Sequence, residues 1–347
     1  MRRRPRALAA VAVAAACTTL AAQQPPGEER FRYKSSVDLV NVTATVTDRS
    51  GRFVPDLDRA DFEVYEDGEL QQVSHFERER VPVSLGIVLD VSNSMAGEKI
   101  RSAQMAIRRF TRDLLDPDDE LFLVRFSDEV EILQKWTTDR DRLERAIGRL
   151  TPYGATSLYD AVLESVPLAN GGTHPKKALV VISDGNDTSS TATPREVRNA
   201  IRHSDVLVYA IGIDGNSEQS FARRPVVPRP YPPPTYPGPV VRRPTFPPPP
   251  TPQPPPSPGS WTRSSDRVNA DALRALTDDT GGRTEIIDSI RNLGPATAGI
   301  ADELSQQYFL GYSSSRPRDG RWHEIDVFVK GDRGFIVRAR SGYLAAP

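Results

Sequence analysis

Asp90-Val91-Ser92-Asn93-Ser94 places three oxygen-bearing side chains on alternate residues. Two further oxygen sets follow downstream, Gly154-Ala155-Thr156-Ser157 and Ser183-Asp184-Gly185. Asp90, Ser92, Ser94, Thr156 and Asp184 together offer two carboxylates and three hydroxyls, a hard donor set without nitrogen or sulfur. Such a set suits Mg²⁺, which takes near-octahedral geometry and keeps several waters, with Mn²⁺ or Ca²⁺ as alternatives. One of those waters can give way to a carboxylate from another molecule. Taken singly, Asp90, Ser92 or Ser94 reads better as a helix cap. Asp128 and Asp187 have no feature that separates them from solvated loop acids.

Covalent and proton-transfer chemistry fit these residues poorly. Neither Ser92 nor Ser94 lies in Gly-x-Ser-x-Gly, and no histidine is placed to activate either. The four histidines, His75, His174, His203 and His323, have no ligand spacing, which argues against zinc. A phosphotransfer site that begins with an aspartate after a strand would need a second one two residues on, where Ser92 stands. The expected protein is therefore not an enzyme.

The elements that must position these residues follow from apolar periodicity. Val83–Leu89 is a buried strand that delivers Asp90 to its carboxyl end, and Ala178–Ile182 does the same for Asp184. Ligands of parallel sheets bind at those ends. Helical spacing marks 100–114, 142–150, 158–168, 194–203, 270–276 and 295–307; strands are expected at 121–126, 206–213 and 284–287. Alternating strands and helices imply an α/β fold, a doubly wound, mostly parallel sheet covered on both faces. Around it lie strand-only segments. Residues 36–80 alternate (Val40, Val42, Ala44, Val46), and Glu66-Asp67-Gly68-Glu69 between 62–65 and 72–76 signals a hairpin. Strands at 308–312, 323–329 and 335–340 close the chain. The two terminal segments are expected to pack together as a small antiparallel β unit.

At this point the chain resembles the von Willebrand factor A (VWFA) family, and within it the exported VWFA-related proteins of acidobacteria. That family's metal-ion-dependent adhesion site has the pattern Asp-x-Ser-x-Ser, a distant Thr in a Gly-rich loop and a distant Asp before Gly. Asp90/Ser92/Ser94, Thr156 and Asp184 match all three parts in order, and Gly154-Ala155-Thr156-Ser157-Leu158-Tyr159-Asp160-Ala161 matches the context. The resemblance spans roughly 82–311. It implies a bound Mg²⁺ whose shell is completed by an Asp or Glu of a partner protein, and a last helix, here Pro295–Gln307, whose movement relatives couple to metal affinity. The departure from the family is a proline-rich insertion at 223–261, with 18 of the chain's 31 prolines and no acidic residue. It reads as a disordered or polyproline II spacer, or as a partner-binding arm through its arginines and aromatics.

The expected organisation is a signal peptide at 1–22, an N-terminal β segment at 36–80, a VWFA domain at 82–311 carrying the insertion, and a C-terminal β segment at 312–345. The signal is read from Arg2, Arg3, Arg4 and Arg6 ahead of the apolar run Ala7–Ala16, which is too short to span a bilayer. Its removal takes the net charge from -1 to about -5. No transmembrane helix is expected in what remains, and neither charge nor pattern points to nucleic acid. Cys17, the one cysteine, falls inside the signal; plain cleavage is favoured over a lipoprotein box. The function expected is metal-dependent protein–protein binding, adhesion or assembly, outside the cytoplasm (periplasm, cell surface or secreted). The alternative is an envelope scaffold whose metal only stabilises loops. A chelatase-accessory role ranks last, since the chain has no phosphate-binding Gly-x-x-x-x-Gly-Lys loop.

Overall fold

A computed structural model describes residues 38–184, 186–214, 268–331 and 334–345. The expected signal peptide with Cys17, the proline-rich insertion and Gly185 lie outside the described residues. Strand β1 (Asp38–Thr47) buries Val40, Val42, Ala44 and Val46 on one face, as the alternation requires. β2 (Phe62–Glu66) and β3 (Glu69–Gln71) form a hairpin across Asp67 and Gly68, both in the left-handed region at φ 49° and 77°. The strand expected to return along β2, at 72–76, does not. Because the turn uses only two residues, Glu66 pairs with Glu69 and the return is spent by Gln71. β4 (Val73–Glu77) then joins a different sheet.

The α/β part runs β5 (Val83–Asp90), α1 (Glu98–Arg109), β6 (Glu120–Phe126), β7 (Val130–Thr137), α2 (Arg140–Ile147), α3 (Leu158–Asn170), β8 (Lys176–Ser183), α4 (Pro194–Arg202), β9 (Val206–Ile213), α5 (Ala270–Thr277), β10 (Thr284–Ile287) and α6 (Leu293–Gln306). The sheet order is β10-β9-β8-β5-β6-β7, parallel throughout except for the antiparallel edge strand β7. β7 has no counterpart in the sequence reading. All eight residues of β5 are buried, as a central strand's must be. Gly86 is required there, since a Cβ would stand 2.2 Å from Cζ of Phe122.

Helices cover both faces. Ile100, Ile107, Leu143 and Leu304 of α1, α2 and α6 share one core with Leu85, Ile87 and Tyr209 of the sheet. Leu158, Val162, Val197 and Leu273 of α3, α4 and α5 share the other with Val88, Val124 and Val181. Each such aliphatic side chain contributes roughly 1.5–3 kcal/mol on burial. The helices are anchored locally too: Asp139 caps α2 at the N–H groups of Asp141 and Arg142, and Thr193 and Glu196 cap α4 reciprocally. Among the described residues no helix is long and apolar enough to cross a membrane.

β11 (Tyr308–Ser314), β12 (Trp322–Val329), β13 (Ile336–Arg338) and β14 (Gly342–Leu344) complete the chain. Two four-stranded sheets, β13-β1-β11-β4 and β14-β12-β2-β3, face each other over Val42, Val64, Leu310 and Ile325. β11 pairs with β1 from Ala44↔Tyr308 to Asp38↔Ser314, so the whole strand lies in this sandwich and crosses the 311/312 boundary read from sequence. Its other neighbour is β4, with Phe309 opposite Glu77. The α/β part is thus inserted between two adjacent antiparallel strands, and it leaves the sandwich beside the point where it returns.

Candidate metal centre

β5 ends at Asp90 and β8 at Ser183, and the register Leu89↔Ile182 sets these strand ends side by side. Asp90 is fully buried. Its Oδ1 accepts the N–H of Ser92 at 2.8 Å and its Oδ2 accepts the Ser183 hydroxyl at 2.6 Å. Asp184, one residue past the end of β8, is 5% exposed. Burial first, and then the charge of Asp184, push the Asp90 carboxyl up to about 6, while the Ser183 and Ser92 hydrogen bonds oppose the rise. Two carboxylates have therefore been brought together out of water, which is costly unless a cation joins them.

The hydroxyls stand beside them. Ser92 Oγ is buried and lies 2.8 Å from Ser94 Oγ, on an exposed residue. Thr156 is buried at the start of α3. Backbone bonds fasten its loop to the first one, from Asn93 N–H to the Gly154 carbonyl (3.1 Å) and from Tyr153 N–H to that of Val91 (2.8 Å). The loop after Asp184 is fastened in turn, with Thr188 and Ser189 N–H both donating to the Thr156 carbonyl. All five residues singled out by sequence thus lie on three loops bonded to one another at one end of the sheet.

The donor chemistry fits a divalent cation. Asp184 Oδ1 is buried and has no hydrogen-bond partner among the described residues. Asp184 and the Ser92, Ser94 and Thr156 hydroxyls would hold the ion, with Asp90 next to them and fixed by Ser92 and Ser183. The centre has too few carboxylates for an all-acid cage, and no group of three His, Cys, Asp or Glu side chains suited to a metal occurs among the described residues. Water and hydroxyl oxygens would have to make up the shell, which is the habit of Mg²⁺.

Two residues near the centre carry no signal that the sequence reading used. Ser183 holds the second oxygen of Asp90, and Lys99 Nζ stands 3.4 Å from Asp184 Oδ2. Register alone could have found Ser183, since it ends the strand beside Asp90. Two others resolve into supports. Asp187 Oδ1 accepts the N–H of Leu158 at 2.8 Å and so caps α3. Asp128 closes on Gly154, where φ is +70° and a Cβ would stand 2.0 Å from Oδ1, so both backbone and space require glycine. The histidines lie on other elements: His323 Nδ1 contacts Asp67, His203 its own helix, His174 the Asp118 carbonyl and His75 Glu77.

Oxygen-bearing loops thus gather at the carboxyl ends of a doubly wound sheet, the place where α/β domains bind their ligands. Residues 85–186, which begin in β5 and end just past Asp184, match the family model of the von Willebrand factor type A domain. The chain therefore carries a von Willebrand factor type A domain over those residues. It is similar to inter-alpha-trypsin inhibitor heavy chain 4 of Mus musculus, 26% identical over 147 residues that cover 38% of this chain and 16% of that protein. The chain thus spans well under a fifth of that relative's length. Among solved structures, a von Willebrand factor type A protein from Catenulispora acidiphila superposes with a TM-score of 0.47 at 11% identity, covering 90% of this chain and 75% of that one. The conserved hypothetical protein BatB from Bacteroides thetaiotaomicron does so with a TM-score of 0.43 at 19% identity, covering 64% and 97%.

Proposed function

We propose that this protein binds a partner protein through a divalent cation, Mg²⁺ or in its place Mn²⁺ or Ca²⁺, held by Asp184, Ser92, Ser94 and Thr156 with Asp90 beside them. The partner supplies an Asp or Glu whose carboxylate enters the metal shell. One observation carries the reading: two buried carboxylates are packed together, with one buried oxygen left unpartnered, next to a pair of touching hydroxyls. A protein with no cation to bind gains nothing from that arrangement. The protein's own part is to hold these oxygens still and to keep them at a solvent-facing strand end. With the basic and apolar leader at 1–22, the reading places this binding outside the cytoplasm, in adhesion or assembly.

The scaffold reading draws on a separate observation, that the three loops are already bonded to one another through 93–154, 153–91 and 188–156. A metal there would tighten loops without presenting them to anything. Titration of the full chain with Mg²⁺ and Mn²⁺, by calorimetry and thermal shift beside Asp90→Ala and Asp184→Ala, tests the site. Saturable binding lost in both variants is expected, with a gain of about 2.7 kcal/mol in wild-type stability at a hundredfold excess over Kd. No binding by wild type, nor by Lys99→Gln in which the neighbouring ammonium is removed, would overturn the metal reading. Binding whose removal by chelator lowers stability but leaves capture of an acidic partner intact would favour the scaffold.

A further inference from the structure

Lys99 is in the wrong place for a helix surface. It lies in the first turn of α1, where the unsatisfied N–H groups and the helix dipole favour anions and disfavour a cation. Its ammonium reaches across to Asp184 Oδ2 instead, at 3.4 Å, and this is the one ion pair of Asp184 among the described residues. The contact is loose, and it leaves Asp184 Oδ1 unpartnered. The Lys99 side chain is 23% exposed, so its long stem has an open route to water.

We propose that Lys99 is a built-in counter-cation that competes with the metal. It neutralises Asp184 when the centre is metal-free and swings out to solvent when a divalent cation enters. The proposal rests on the metal reading above and adds a regulatory element: Lys99 keeps metal affinity low, so that filling the centre depends on metal concentration and on a partner's carboxylate to offset the lysine's charge. A structural salt bridge would be tighter and would use both oxygens; a spectator lysine would point along α1 into water.

The test is Mg²⁺ and Mn²⁺ titration of the full chain as wild type, Lys99→Gln and Lys99→Arg. Repulsion between an ammonium and a nearby divalent ion, even with solvent-like screening, is worth about tenfold in affinity. Lys99→Gln is therefore expected to bind Mg²⁺ about tenfold more tightly or better, and Lys99→Arg to stay near wild type. In chelator Lys99→Gln should also melt below wild type, so that its gain in Tm on adding Mg²⁺ is the larger of the two. Equal or weaker binding by Lys99→Gln overturns the proposal while leaving the metal centre standing. No saturable binding by wild type or by Lys99→Gln overturns the metal reading and this proposal together. Binding by Lys99→Gln alone supports both.

Discussion

Asp90 is buried with both carboxylate oxygens engaged, by the Ser92 N–H and the Ser183 hydroxyl, and with the charge of Asp184 close by. Oxygens on residues 90, 92 and 94 after an apolar strand are legible because one short loop carries them all, and Thr156 and Asp184 because each follows or precedes a recognisable strand or helix. Lys99 and Ser183 are not legible as site residues, since their relation to Asp90 and Asp184 exists only through the sheet and the first turn of α1. The energetics of Asp90 give a residue-scale prediction. With its carboxyl pushed up to about 6 in the folded protein and near the ordinary 3.8 when unfolded, the folded state binds the extra proton. Stability of the metal-free protein is then lost as pH rises through that window, by at most about 1.4 kcal/mol per pH unit. Asp184 faces the same carboxyl and Lys99 pairs with Asp184 in turn, and both remain in Asp90→Asn. In chelator Asp90→Asn is expected to match wild type near pH 4 and to exceed it by about 2 kcal/mol at pH 7. It should bind no metal. Parallel denaturation curves for the two proteins across that range would show that Asp90 carries no such penalty.

At the scale of elements, the alternation of apolar strands and helices was enough to call for a doubly wound, mostly parallel sheet, though not for its strand order. Edge and crossing strands were not visible in it. β7 is half exposed and its register with β6 breaks twice, so its apolar residues never form a clean alternation. β3 is not read at all, because Glu69 counts into the turn and the return strand is placed at 72–76, where β4 lies. Glu303 was illegible for a different reason: a charged residue on a helix reads as solvated face. Here it is 2% exposed on the inner side of α6. It accepts from Tyr209 of β9 (3.0 Å), from Thr45 of β1 (3.2 Å) and from Arg338 of β13, and lies 3.1 Å from Arg283 Nε. One carboxylate therefore joins the last helix to the central sheet and to the sandwich. Glu303→Ala leaves those donors without their acceptor and is expected to cost about 3 kcal/mol. That lies at the low end for a broken buried pair, because Arg338 and Arg283 are each about one-third exposed and can reach water. Amide exchange should quicken in the last turn of α6 before it does in β5 or β8. An unchanged exchange rate at 300–306 would show that Glu303 is not what holds the helix.

At the scale of the whole molecule, the α/β domain hangs from a hairpin. Glu77 and Phe309 face each other across β4 and β11, so some 230 residues are inserted where a tight turn would serve. α6 ends at Gln306 and β11 starts at Tyr308, which ties the helix to a strand held on both sides. Sliding that helix along its axis would require β11 to shift register against β1 and β4 together, and a one-residue slip would turn Tyr308, Leu310 and Tyr312 out of the core. The sandwich thus acts as a clamp on the helix. The same geometry predicts that the sandwich needs the inserted domain for stability but not for topology. Replacing residues 79–307 by Asn-Gly joins positions that are already neighbours, in the turn type that antiparallel strands favour. The product, cut to 38–78 and 308–345 and so about 80 residues with the turn, keeps the Val42, Val64, Leu310 and Ile325 core and is expected to fold with strand-type circular dichroism and dispersed amide resonances. It should be markedly less stable than the parent chain. It loses the Glu303 network, the Arg340–Asp205 ion pair and the stacking of Arg202 on Trp322 that hold sandwich and α/β domain together. A chain without fixed structure would mean that the inserted domain, and not the strand register, brings the two terminal segments together.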